Sequence, residues 1–283
     1  MIVSYHNEKD FKDLFYLLAE MVEAQAGLPI AEGLAWQNDR QILARKFLYH
    51  LSTVNTILHG TAIDVGSRTA HFVDHGSIIV LARAVIENFI VFAHVFGSSD
   101  VEQSRFKHMV WKYCGLKDRQ RRVAITEEGR VTLAAERSRI AILLSEIKEH
   151  SIFKTFSNGK KKSIVNGDWA GGLKWHELAA EVGLNQRYFR NVYSYLCDYS
   201  HTSYAAVLQV GQAKSIEKQM EMSRSMLGFM NLTIARFIGI YATLFDFAQK
   251  VLDESAYLPV AIKWNFDATS FEKIYAERVV KES

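Results

Sequence analysis

TAHFVDHGSIIVLARAVIENFIVFAHVF, residues 69–96, decides the architecture. Its later half is apolar on nearly every face, with Ile78, Ile79, Val80 and Leu81 followed by Phe89 to Phe92. The stretch reads as one helix from about Thr69 to Phe96, and a helix without a polar face has to be surrounded by other elements. The run from Gly76 to Gly97 is about long enough to cross a bilayer, as is a second apolar run from Met226 to Phe247. The first carries Arg83 and Glu87 in mid-span and the second Arg236, and each charge at a bilayer centre costs roughly 2.5–3.5 kcal/mol. No stable membrane insertion is therefore expected. The two runs read instead as the core pair of a bundle whose charges meet each other or line a cleft.

The rest of the chain supports a helical reading. Only two prolines occur, Pro29 and Pro259, and the residues between them have none. Proline is what a helix interior excludes. Apolar residues recur at helical spacing over 8–26, 36–59 and 133–147, and again from about Ile216 to Val251. Ser99 with Glu102 and Thr269 with Glu272 read as capping boxes, the second opening a final short helix. The expectation is one all-α domain over 1–283, with eight to ten helices, a helical core at 35–255 and a C-terminal extension at 256–283. Residues 151–173 contain glycines, asparagines and the run Lys160-Lys161-Lys162 without periodicity. They read as a mobile basic loop and as the first site of tryptic cleavage.

With 49% hydrophobic and 23% charged residues, the composition excludes disordered, collagenous and disulfide-scaffold classes. The net charge of +3 implies no partner, but its distribution is uneven. Between Arg105 and Lys174 sixteen basic residues face seven acidic ones, net +9, and the remainder has eighteen basic against twenty-four acidic, net −6. Two cysteines without metal or redox spacing and an N-terminus without a signal-peptide pattern point to the cytoplasm.

Three constellations could carry chemistry. Arg83 and Glu87 stand four apart on one helix face among apolar neighbours, as a buried structural pair or as part of a site. The segment RYFRNVYSYLCDYSHTS, residues 187–203, concentrates phenols, hydroxyls and one imidazole on a single segment read from Asn185 to about Val210. There His201 has acid/base character, with Asp198 placed to orient it, or is a satisfied core histidine. Arg83 and Glu87 are expected to be inaccessible and close to the Tyr195–His201 stretch, since a buried charge must find partners. Third, His71, Asp74 and His75 have the types and spacing of a metal site, but no glutamate completes a zincin signature, and helix-end histidines in solvent are the expectation. No cofactor is expected: Walker, GxGxxG and GxSxG patterns are absent.

RAVIE at 83–87, WHELAAEVGL at 175–184 and the tyrosine-rich helix ending YLCDYSHTS resemble a bacterial family known only as a domain of unknown function. That family is similar in helical organisation to HEPN proteins, all-α domains directed at nucleotides or RNA and frequent in toxin and anti-phage systems. The resemblance rests on Arg83, Glu87, Tyr195, Tyr199 and His201. It implies a metal-independent endoribonuclease in which His201, Arg83 and Glu87 are catalytic and Arg190, Tyr195, Tyr199 and Asp198 bind substrate. RNA is the implied partner, with a second copy of the chain or an operon-encoded protein beside it. A typical HEPN ribonuclease has Arg and His four to six residues apart on one helix. Here Arg190 and His201 are eleven apart and Arg83 lies on another helix, which leaves a non-catalytic ligand- or partner-binding module as the alternative.

Overall fold

The structure, a computed structural model, describes residues 6–270 and Glu272. It is mostly helical. Among the described residues there are fourteen α-helices, where eight to ten were expected, and one two-stranded sheet. In chain order the elements are α1 (His6–Gln25), a 3-10 turn (Ala35–Gln37), α2 (Asn38–Ile57), β1 (Thr61–Val65), β2 (Arg68–Phe72), α3 (His75–Phe96), α4 (Val101–Arg119), α5 (Glu127–Glu149), α6 (Ser151–Thr155) and α7 (Asn158–Asn166). Then come α8 (Trp175–Glu181), α9 (Gln186–Ser200), α10 (Tyr204–Gln212), α11 (Ile216–Ser225), α12 (Leu227–Leu244), α13 (Asp246–Glu254) and α14 (Leu258–Trp264). The chain forms two compact units, one of residues 1–91 with 183–283 and one of residues 92–182.

In the first unit the core is built on α1 and α12. Phe11, Leu14, Leu17, Leu18 and Met21 of α1 are fully buried, and α12 is buried on almost every turn. Phe47 of α2 stacks on Phe237 of α12, ring centroids 4.3 Å apart. Asn88 of α3 donates to the carbonyl of Leu43 at 3.3 Å, tying α3 to α2. Lys263 and Trp264 of α14 both donate to Asp10 of α1, at 2.6 and 2.8 Å. The final helix expected from Thr269 and Glu272 lies mostly outside the described residues.

Two apolar stretches, His75–Phe96 and Ile216–Leu244, are long enough to cross a membrane by length and composition, but 67% of each window is buried inside the protein, as in core helices of soluble folds. Their charges do not meet. Arg83 bonds Glu87, while Arg236 reaches the carbonyl of Phe266.

Four expectations need correction. First, residues 69–72 are strand, not helix. Gly66, with φ +62°, occupies the first central position of a two-residue loop, the place where a hairpin needs a positive φ. Thr61 then pairs with Phe72, Ile63 with Ala70 and Val65 with Arg68 in antiparallel register. Second, the long segments at 185–210 and 216–251 are divided into helices: extended backbone at Phe245 ends α12, and Thr202, with φ +52°, separates α9 from α10. Third, Asp100 rather than Ser99 caps α4, accepting from the amides of Glu102 and Gln103.

Fourth, the expected loop at 151–173 is largely helical. Phe153 of α6 and Ile164 of α7 join Phe106, Val110, Tyr113, Leu143 and Ile147 in the core of the second unit. Ser157 caps α7 through the amide of Lys160, and Gly167 closes it with φ +102°. Tyr113 and Lys117 of α4 both donate to the carbonyl of Val165. The lysine run is thus on a capped, anchored helix, whereas 120–126 is irregular, with Val123 and Ile125 each 89% exposed. Limited trypsinolysis should open the chain first after Arg121 or Arg122, read by mass spectrometry. An initial cut at 160–162 would mean that α7 frays before this loop opens.

Candidate functional site

The site is built where α3 and α9 face each other in the first unit. Asn185 starts α9 by accepting the amide of Tyr188 at 2.9 Å, and His201 follows as the C-cap residue. Positive φ at Thr202 turns the chain away, and the Ser203 amide bonds back to the carbonyl of Asp198. The imidazole of His201 is therefore left exposed at the end of a helix.

Arg83 makes a contact from each guanidinium nitrogen. Nε donates to Glu87 Oε1 at 2.8 Å, Nη2 to the Tyr193 hydroxyl at 3.4 Å, and Nη1 lies 3.4 Å from His201 Nε2. Tyr193 in turn donates its hydroxyl proton to Glu87 Oε1 at 2.6 Å, closing a triangle of arginine, carboxylate and phenol. A guanidinium has only donors, so in this contact Nη1 donates and His201 Nε2 is the acceptor. The Tyr193 ring stacks on Phe189 at 5.2 Å, and the Arg83 guanidinium carbon lies 5.4 Å from its centroid.

The electrostatics hold this arrangement. Burial works against the charge on Arg83, and the hydrogen bond and charge of Glu87 outweigh it, so its pKa lies above the ordinary guanidinium value. Burial, followed by the hydrogen bond to Glu87, pushes the Tyr193 phenol well up, which keeps it a proton donor. The pair is nevertheless not inaccessible: the Arg83 and Glu87 side chains are 21% and 28% exposed. That exposure lowers the desolvation cost that a fully buried pair would carry.

Arg83, Glu87 and His201 are thus brought together, and Tyr193 joins them. Asp198 makes no hydrogen bond to His201, and Arg190 points to solvent. Tyr199, 8% exposed, turns away to set its ring edge-on to His75 at 6.2 Å, with Tyr195 5.4 Å behind it. Burial raises the pKa of both phenols. Tyr193 could have been found from spacing, since 193, 197 and 201 repeat every four residues and share a helix face. His71 and His75 do not share one: His71 is on β2, and His75, expected in solvent, is buried at the start of α3. Among the described residues no group of three His, Cys, Asp or Glu side chains is placed to hold a metal ion.

The fold and the site define a mostly helical protein with an exposed imidazole beside a braced arginine. The chain belongs to the family of unknown function DUF5677, which it matches over residues 67–219, a span that includes all four site residues. No curated protein and no solved structure matches it.

If the triangle is one cooperative unit, Tyr193→Phe should lower stability by about 1 kcal/mol with the Phe189 stacking retained. Arg83→Ala should cost about 1–2 kcal/mol, between exposed-pair and buried-pair values. Urea unfolding of both single variants and the double variant should give a coupling of at least about 0.5 kcal/mol. Strict additivity would show that the three groups are neighbours without mutual dependence.

Proposed function

We propose that the protein is a metal-independent endoribonuclease with an HEPN-like helical core, of the kind found in toxin and anti-phage systems, acting in the cytoplasm. The observation that carries this reading is the exposed His201 imidazole held against the Nη1 of an arginine whose other two nitrogens are already braced. Cleavage of RNA by its own 2′-hydroxyl needs a base near neutrality and a cation for the charge that develops on the phosphate. An arriving phosphate oxygen competes for Nη1 of Arg83, and Nε2 of His201 is thereby released. That nitrogen accepts the 2′-hydroxyl proton as the 2′-oxygen bonds to phosphorus. The bond from phosphorus to the 5′-oxygen breaks, and the leaving oxygen takes a proton from water, giving a 2′,3′-cyclic phosphate and a 5′-hydroxyl. Glu87 and Tyr193 are positioning residues for Arg83. The basic segment 105–174 adds a sequence-independent attraction for a polyanion.

The alternative is a non-catalytic module that binds a ligand or partner, favoured by the way Arg83, Glu87 and Tyr193 satisfy one another. Purified protein should cleave single-stranded RNA in the presence of a chelator, leaving cyclic phosphate ends. His201→Ala should reduce the rate by about 10²-fold or more with its melting temperature unchanged, as loss of an acid/base group does. An RNA pool left intact with and without divalent metal, together with a His201→Ala variant of lowered melting temperature, decides for the binding module.

A further inference from the structure

The second unit contains a polar cluster that this reaction does not use. Five pieces of chain supply it: His94 from the last turn of α3, Lys107 from α4, Lys160 from α7, Trp169 from the turn after α7, and Trp175 with Glu181 from α8. His94 Nδ1 lies 3.1 Å from Glu181 Oε2. Trp169 sets its ring against His94 at 5.6 Å and against Trp175 at 6.1 Å, both near edge-on.

The turn that presents Trp169 is built rigidly. Asp168 accepts from the Ser163 hydroxyl and from the amides of Ala170 and Gly172 at 2.7–3.0 Å. Gly171 has φ +65°, and a Cβ there would stand 3.0 Å from Lys160 Cε, so the lysine stem lies across the glycine. Lys160 Nζ sits 4.2 Å over the Phe156 ring.

The charges do not balance. Burial first, opposed by the hydrogen bond to Glu181, holds the His94 pKa down and keeps the ring neutral. The bond from His94 holds the Glu181 carboxyl below its ordinary range. Burial also lowers the pKa of Lys107, which makes no ion pair or hydrogen bond among the described residues. Two ammonium groups therefore act on one carboxylate that is already engaged by His94, beside two half-buried indoles. A half-buried cationic excess next to aromatic rings suits an anion attached to a planar ring, with the phosphate at the lysines and the ring against tryptophan.

We propose that the second unit binds a small aromatic monophosphate of the nucleoside monophosphate class, with Lys107 and Lys160 on the phosphate and Trp169 against the base. The proposal stands apart from RNA cleavage at His201. AMP titrated into the full chain should quench tryptophan fluorescence, with the dissociation constant confirmed by calorimetry. Ribose 5-phosphate and adenosine should each bind about tenfold or more weakly than AMP, because each keeps half of the recognition. Lys107→Met, which retains the buried stem, and Trp169→Ala should each weaken AMP by about tenfold or more at unchanged melting temperature. His201→Ala and Arg83→Ala should bind AMP as the wild type does. The proposal is overturned by no AMP binding up to about 5 mM, by Lys107→Met binding as tightly as wild type, by ribose 5-phosphate matching AMP, or by loss of binding in Arg83→Ala instead.

Discussion

A helix with apolar residues on all sides has to be enclosed, and α3 imposes that condition on the first unit. Ile78, Ile79, Val85, Ile86, Phe89 and Ile90 are all fully buried, which requires neighbours on several sides. The enclosure is interrupted along one line, where Arg83 and Glu87 stand a turn apart. There the neighbouring α9 offers a phenol, a thiol-bearing turn and an imidazole in place of aliphatic groups. The candidate site is the polar seam of an otherwise apolar packing problem. Its residues are ordered because the helices on either side are fixed by the core.

Burial also explains what could be read from the sequence. Near-absence of proline and the long apolar periodicities in α1, α2, α3 and α12 determine a helical fold, because those signals come from burial and survive any detail of packing. The pairing of Arg83 and Glu87 with the tyrosine-rich helix also follows from the need of half-buried charges for partners. Choosing Tyr193 over Tyr195 and Tyr199 is harder. Both alternatives lie on the same helix; the four-residue step from Tyr193 through Cys197 to His201 picks out Tyr193, and the inward packing of Phe189, Leu196 and Tyr199 turns that face toward Arg83.

Local chemistry misled in the two places where short elements are stabilised by something other than periodicity. The hairpin depends on one glycine in a two-residue turn and on backbone pairing over only five residues per strand, nearly all of them exposed. Helix α7 is polar and basic, and it forms because a serine cap, a glycine terminator and the single buried Ile164 fix it to the second core. A lysine run with flanking glycines looks the same in sequence whether it is anchored by one isoleucine or not.

The first unit is assembled from two lengths of chain that flank the second, and this has a consequence for synthesis on the ribosome. Helix α1 is synthesised about 200 residues before its partner α12, on the order of ten seconds or more at ordinary elongation rates. For that interval α1, α2 and α3 have no opportunity to complete their core. The intervening stretch from Phe92 to Val182, by contrast, is contiguous and can condense as soon as it emerges. The nascent protein therefore spends its early life with the apolar face of α1 awaiting α12 and α13, which are not yet translated.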